Sequence, residues 1–166
     1  MAIQRPRNVV TLKQGLERAE RGGYALGSFS PRYAAMIKPI LQAGEEARSP
    51  LIVQISHKEL VRYGLSPAEF ADEFFEQVNA LPATVPVVLH LDHTRELGPI
   101  QEAIAAGFTS VMIDASEQPL DENIARSREV AEYALPRDVS VEAELGRIGT
   151  TDFVETEHDE ELYTRP

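Results

Sequence analysis

The stretch VVLHLDHTREL, residues 87–97, runs from apolar, β-branched residues into two histidines flanking an aspartate. Its first half has the character of a buried strand. Its second half carries His90, Asp92 and His93, the kind of groups that strand ends in parallel α/β folds present to ligands. Neighbours along a regular strand point to opposite faces, so Asp92 and His93 share a site only if the chain has begun to turn out of the sheet. Thr94-Arg95 is read as that exit. His90 has the parity of Asp92 but lies deeper, which marks it as a packing histidine or one that orients its neighbour.

Short apolar runs alternate with segments of helical period on both sides of this stretch. Before it stand YALGSFS (24–30), a stripe of Ile37, Ile40, Leu41, Gly44 and Ala47, and PLIVQIS (50–56). A helix opened by Ser66-Pro67 follows, with Phe70, Phe74 and Val78 on one side. Pro39 conflicts with the first stripe, because proline removes a backbone donor and should kink the helix or mark a late start. After residue 95 come a helix from about Glu96 to Ala106, stopped at Gly107, and the strand FTSVMID (108–114). A helix over about 121–134, carrying Ile124, Ala131, Ala134 and Leu135, leads to VSVEAEL (139–145). Strands separated by helices predict a parallel α/β sheet buried on both faces, in one domain over residues 1–166.

Composition narrows the function. With 27 acidic against 16 basic residues and a net charge of −11, the chain lacks the clustered Lys and Arg that nucleic acid or an anionic membrane requires. It has no cysteine, which excludes disulfides and thiolate metal sites. The N-terminus MAIQRPRNVV has no signal-peptide h-region, and no run approaches a membrane span, so a cytoplasmic protein facing small molecules is expected. The acidic run ETEHDEEL (155–162) reads as a solvated loop.

The strand ends are polar throughout: Ser28 and Ser30, Ser56 and His57, Asp92 and His93, Asp114 and Ser116, Glu142 and Glu144. Alone, Asp114 or Ser116 would be read as a helix cap. Together, carboxylates and a histidine converging on one rim can hold a divalent cation or divide acid and base roles.

VVLHLDHTREL followed by AIAAGFTSVMIDAS and VSVEAELGRIG resembles the class II, zinc-dependent ketose-bisphosphate aldolases, the fructose- and tagatose-bisphosphate aldolase type. The resemblance extends from GSFS and ARSPLIVQIS to ELYTRP. It implies a TIM (β/α)8 barrel, of which this chain holds about the first five strands. It also implies reversible aldol cleavage of a phosphorylated ketose to dihydroxyacetone phosphate and an aldehyde, as in glycolysis, with Zn2+ as Lewis acid in place of a Schiff-base lysine. Residue by residue, His93 matches a zinc histidine and Asp92 the carboxyl group that exchanges a proton with the aldehyde oxygen. Glu144 matches the carboxylate that contacts a displaced or second metal, Ser56 a serine on the substrate side, and Asp114 a rim carboxylate near the same cavity.

The chain also departs from the family. GRIGTTDFVE keeps Gly149 but has Thr150 where relatives have glycine, and only Asp152 stands where their loop supplies the proton-abstracting glutamate. Phe29-Ser30 replaces a Phe-Asn pair whose amide touches substrate. The family's other two zinc histidines belong to strands six to eight, beyond the last strand found here. His57, at the end of strand two and therefore expected across the barrel mouth, and His158, in the acidic tail, are poor substitutes. Open edges on strands one and five predict self-association, as a homo-oligomer, or pairing with a complementing C-terminal segment. The isolated chain is accordingly expected to be inactive. Two other readings stand beside the aldolase: a nonenzymatic half-barrel module that binds a partner chain, and a metal-free Schiff-base aldolase using Lys58, which SHKELVRY leaves exposed.

Overall fold

The computed structural model describes residues 5–81 and 84–146. Among these, helix α1 (Leu12–Gly22) precedes β1 (Gly27–Phe29), α2 (Ile37–Glu46), β2 (Leu51–Ser56), α3 (His57–Tyr63) and α4 (Pro67–Ala80). Then follow β3 (Val87–Thr94), α5 (Leu97–Ala106), β4 (Ser110–Ile113), α6 (Leu120–Ala134) and β5 (Ser140–Ala143). The strands form one sheet in the order β1-β2-β3-β4-β5, every neighbouring pair parallel. Strand order that follows chain order, with helices between, is the winding of a (β/α) barrel rather than of a doubly wound sheet.

Register sorts the side chains into two faces. Odd-numbered Val53, Ile55, Val87, Leu89, Leu91, Val111 and Ile113 pack with Leu41, Phe70, Phe74 and Ile100 of the helices, and with Phe108 just before β4, into the main core. The even-numbered face begins with a small second cluster of Val10, Ile52 and Val88. Farther along the strands it becomes polar, with Gln54 and His90 in register, then Ser56 and Asp92. Thus the same strands that bury a core on one side carry the site on the other.

Helix ends are fixed by local chemistry. Ser66 and Glu69 form a capping box with Pro67 in the first turn of α4. Gly107 closes α5 at φ 99, a conformation that costs glycine nothing. Pro39 marks a late start: α2 begins only at Ile37, behind a short 3-10 turn, so Pro39 falls where a backbone N–H has no partner within the helix anyway.

Two features differ from the sequence reading. Helix α6 buries Asn123, Val130 and Ala134, whereas Ile124 and Leu135 are 46% and 61% exposed. Ala134 is buried as the periodicity expects, but the rest of the stripe is displaced because the first buried member of the face, Asn123, is polar. Helices α1 and α3 were not anticipated, since α1 is mostly polar and buries only Gly15 and Ala19. It lies against the N-terminal ends of the strands, where the Lys13 backbone N–H donates to Ser140 Oγ at 2.9 Å and Gly15 sits beside Leu26 and Val88. At the sheet edge, all three residues of β1 are exposed. An apolar groove of about 460 Å3 runs beside it, between Phe29, Met36, Pro39 and Ile40. No helix among the described residues is long and apolar enough to cross a membrane.

Candidate active site

The site begins with a break in β3. Leu91 pairs with Val111 but Thr94 with Ile113, so β3 carries one residue more than β4 over this stretch, and His93 takes φ 33. This is a bulge, and histidine is among the residues that tolerate positive φ best. The chain therefore turns within the strand, at His93, rather than after it at Thr94-Arg95. The turn puts Asp92 and His93, which a regular pleat would separate, on one rim with Ser56 and Asp114, around a cleft of about 810 Å3.

Asp92 is held from below. The Gln54 side-chain amide donates to Asp92 Oδ2 at 3.1 Å, and the Ser28 hydroxyl donates to Gln54 Oε1. Burial pushes the Asp92 carboxyl above the usual range, partly offset by the neighbouring His93. His90 is 2% exposed, its Nδ1 2.8 Å from Ser110 Oγ and its Nε2 3.4 Å from Glu142 and 4.0 Å from Asp92. Burial, with repulsion from His93, drives its pKa down to about 4, so the ring is neutral near pH 7. With two carboxylates facing Nε2, the proton belongs there, and Nδ1 accepts from the Ser110 hydroxyl.

His93 faces outward into carboxylates. Its Nδ1 lies 3.2 Å from Asp114 Oδ2 and 3.9 Å from Glu144 Oε2. Burial would lower its pKa, but the Asp114 hydrogen bond and the fields of Asp92, Asp114 and Glu144 raise it on balance. Asp114 is oriented through its other oxygen, which accepts from the Ser116 backbone N–H at 3.2 Å and hydroxyl at 2.7 Å. Burial opposes its ionisation; those bonds and His93 win, and its pKa falls. Burial and the charge of Asp114 push Glu144 up. Asn123, buried on α6, fixes the backbone beneath Glu144 by donating from Nδ2 to its carbonyl at 2.8 Å.

One donor atom from each of His93, Asp114 and Glu144 lies within 4.8 Å of the others. One imidazole nitrogen and two carboxylate oxygens fit a divalent cation of the zinc class and leave room for further ligands.

Other residues fall differently from the reading of the sequence. Ser56 lines the cleft but also caps α3, its Oγ accepting from the Glu59 N–H at 3.2 Å. His57 is not across the barrel mouth, because β2 is the immediate neighbour of β3. It lines the same cleft, yet stands outside the three-residue donor cluster. Lys58 is exposed on α3, not enclosed in an apolar pocket. Asp152 and His158 lie outside the described residues. Gln54 and Asn123 are not evident as site residues in the sequence. Parity with Asp92 could have pointed to Gln54, but nothing local marks Asn123.

The sequence model described as fructose-bisphosphate aldolase class-II matches residues 10–166. The chain belongs to that aldolase family. Similar curated members include the 6-phospho-5-dehydro-2-deoxy-D-gluconate aldolase of Halalkalibacterium halodurans, 43% identical over 141 residues, covering 85% of this chain and 49% of that protein. The fructose-bisphosphate aldolase of Staphylococcus aureus is 40% identical over 141 residues, with the same coverage, 85% and 49%. Among solved structures, the YdjI aldolase from Escherichia coli K12 superposes with a TM-score of 0.78 at 32% identity, over 95% of this chain and 57% of that one. The fructose-bisphosphate aldolase from Campylobacter jejuni gives 0.69 at 26%, over 85% and 48%. The chain thus spans about half the length of the curated aldolases it matches, and the five strands among its described residues correspond to part of an aldolase barrel.

Proposed function

We propose that these residues form the N-terminal portion of a zinc-dependent class II aldolase that reversibly cleaves a phosphorylated ketose to dihydroxyacetone phosphate and an aldehyde, once the barrel is complete. The observation that carries the reading is the His93 bulge, which sets the Asp92 carboxylate beside a metal-type donor cluster at the carboxyl ends of parallel strands.

In the complete barrel His93 would hold the cation with the two histidines that the resemblance assigns to strands six to eight, and the Asp114 and Glu144 carboxylates stand within reach of the same position. Bound zinc would supply Lewis acidity at the ketone oxygen, drawing electron density as the carbon–carbon bond breaks. Asp92 takes the hydroxyl proton of the carbon that becomes the aldehyde while the bonding electron pair stays with the ketone half. In the reverse direction it returns that proton to the aldehyde oxygen. Gln54 aims the carboxylate, and burial makes it a better proton holder than an exposed aspartate. Ser56 lies on the substrate side of the cleft. Asp152 is proposed as the loop group that exchanges the proton on the ketone half.

The names of the relatives support a substrate with two anionic ends. Fructose bisphosphate carries two phosphates; a 6-phospho-5-dehydro-2-deoxygluconate carries a phosphate and a carboxylate. In both, the aldehyde half leaves with an anionic group. Such a reaction belongs to carbohydrate metabolism, and to glycolysis in the cytoplasm when the ketose is fructose bisphosphate. A homo-oligomer or a complementing C-terminal segment would cover the exposed β1 edge. The test is a coupled assay for dihydroxyacetone phosphate with zinc and each ketose. Turnover by the complete barrel supports the reading, and its absence with both substrates contradicts it.

A further inference from the structure

We propose that a groove at the base of the sheet, at the opposite end of the strands from the catalytic cleft, is a second ligand site that takes a small phosphate-bearing anion on Arg7, Arg18 and Arg21. The site does not depend on the aldolase reading.

Its position follows from the segment before α1, which is joined to the start of β3. The Val10 backbone N–H donates to the Val87 carbonyl at 2.9 Å, and the Val87 N–H donates to the Asn8 carbonyl at 2.8 Å. Val9 and Val10, both buried, are therefore fixed at the N-terminal ends of the strands, where they line a groove of about 470 Å3 together with one face of α1. From Val87 to Asp92, β3 advances five residues at about 3.3 Å each, so the base of the strand and Asp92 stand roughly 16 Å apart.

In a chain of net charge −11, four arginines converge on this groove: Arg5 and Arg7 from the N-terminal segment, Arg18 and Arg21 from neighbouring positions on α1. Two carboxylates line it with them, and both are engaged. Asp138 accepts from Arg5 Nη1 at 2.9 Å, while its carbonyl accepts from Nη2 at 3.4 Å. Glu17 lies 3.9 Å from Lys13 Nζ, one turn back on α1. By contrast, Arg7, Arg18 and Arg21 have no ion pair or side-chain hydrogen bond among the described residues.

Arg21 alone would be read as a complement to the C-terminal end of α1, since it stands in the last turn. That reading leaves Arg18, a turn earlier, and Arg7, on another segment, without a role. Guanidinium forks from two supports match the oxygens of a phosphate, and an anion between them removes the repulsion of like charges. The occupant is small, because a cavity of this size suits a metabolite. An extended polyanion would run off the arginines onto a surface where acidic residues outnumber basic ones, 27 to 16 in the whole chain.

The experiment is equilibrium dialysis of the complete barrel at constant ionic strength against inorganic phosphate and against glucose 6-phosphate, the free ion and an ester of it. Whichever binds more tightly identifies the source. The Arg18→Ala/Arg21→Ala variant should bind one equivalent fewer, or hold that equivalent at least tenfold more weakly, with ketose turnover unchanged; anything bound in the catalytic cleft persists in both proteins. Lys38→Ala/Arg128→Ala removes the same charge from exposed positions on α2 and α6 and should bind as the wild type does. Where the α1 variant loses turnover and so does not report a folded protein, Arg7→Gln is read by the same titration. Equal binding by the wild type and the groove variant overturns the site, and so does equal weakening in the α2/α6 control, which would reduce the effect to overall charge.

Discussion

Gln54 Nε2 donates to Asp92 Oδ2 at 3.1 Å, and the Ser28 hydroxyl on β1 holds the other end of the same amide, so three strands aim one carboxylate. Gln54→Leu keeps the volume but removes the donor. Turnover in the complete barrel should fall about 10- to 100-fold, the range seen when an orienting hydrogen bond is lost, with KM nearly unchanged. An unaltered kcat would mean that Asp92 needs no aiming.

Asp92 and His93, adjacent in sequence, should separate by function. Asp92→Ala is expected to lower turnover by about 10²- to 10⁴-fold with metal content retained, since general acid–base transfer is worth that much. His93→Ala should lose metal and turnover together. Metal analysis beside kinetics makes the comparison; equal loss of zinc in both variants would contradict the division.

That pair also shows how much of the site was legible. An apolar run ending in His-x-Asp-His, with strands alternating with helices, marked the rim and the α/β class from residue types alone. The bulge that joins Asp92 to His93 was not legible, because it appears only as a slip in pairing between β3 and β4. Asn123 was missed for a related reason: periodicity counts apolar residues, and the buried face of α6 opens with an amide that serves a carbonyl on the next strand end. Helix α1 carried too few apolar residues to register, although it closes the base of the sheet.

Asn123→Ala should act at a distance on the metal cluster. Losing its amide leaves the Glu144 carbonyl unpaired, which costs about 1–3 kcal/mol of stability when the group is buried. A Glu144 backbone no longer fixed should weaken zinc binding roughly 10- to 100-fold. Urea denaturation and competitive zinc titration measure the two effects. Unchanged zinc affinity would show that Glu144 is placed without Asn123.

His90 gives a pH signature. Its folded pKa, about 4, lies below the ordinary 6.5, so the unfolded chain takes up the proton first as pH falls. Its contribution is therefore present above about 6.5 and is lost between about 6.5 and 4, by up to about 3 kcal/mol. Asp92, Glu142 and Glu144, pushed up by burial, work in the opposite direction at low pH. The difference between wild type and His90→Gln isolates the histidine. Denaturation midpoints should converge as pH drops through this window, and parallel profiles would mean that His90 accepts a proton in the folded state.

Zinc dependence of turnover in the complete barrel is the most direct measurement. Chelation should abolish cleavage of the ketose bisphosphate, stoichiometric zinc should restore it, and borohydride added with substrate should leave the enzyme active, as expected where no lysine forms a Schiff base. Full turnover after exhaustive chelation, together with inactivation by borohydride, would contradict a metal-dependent mechanism centred on His93.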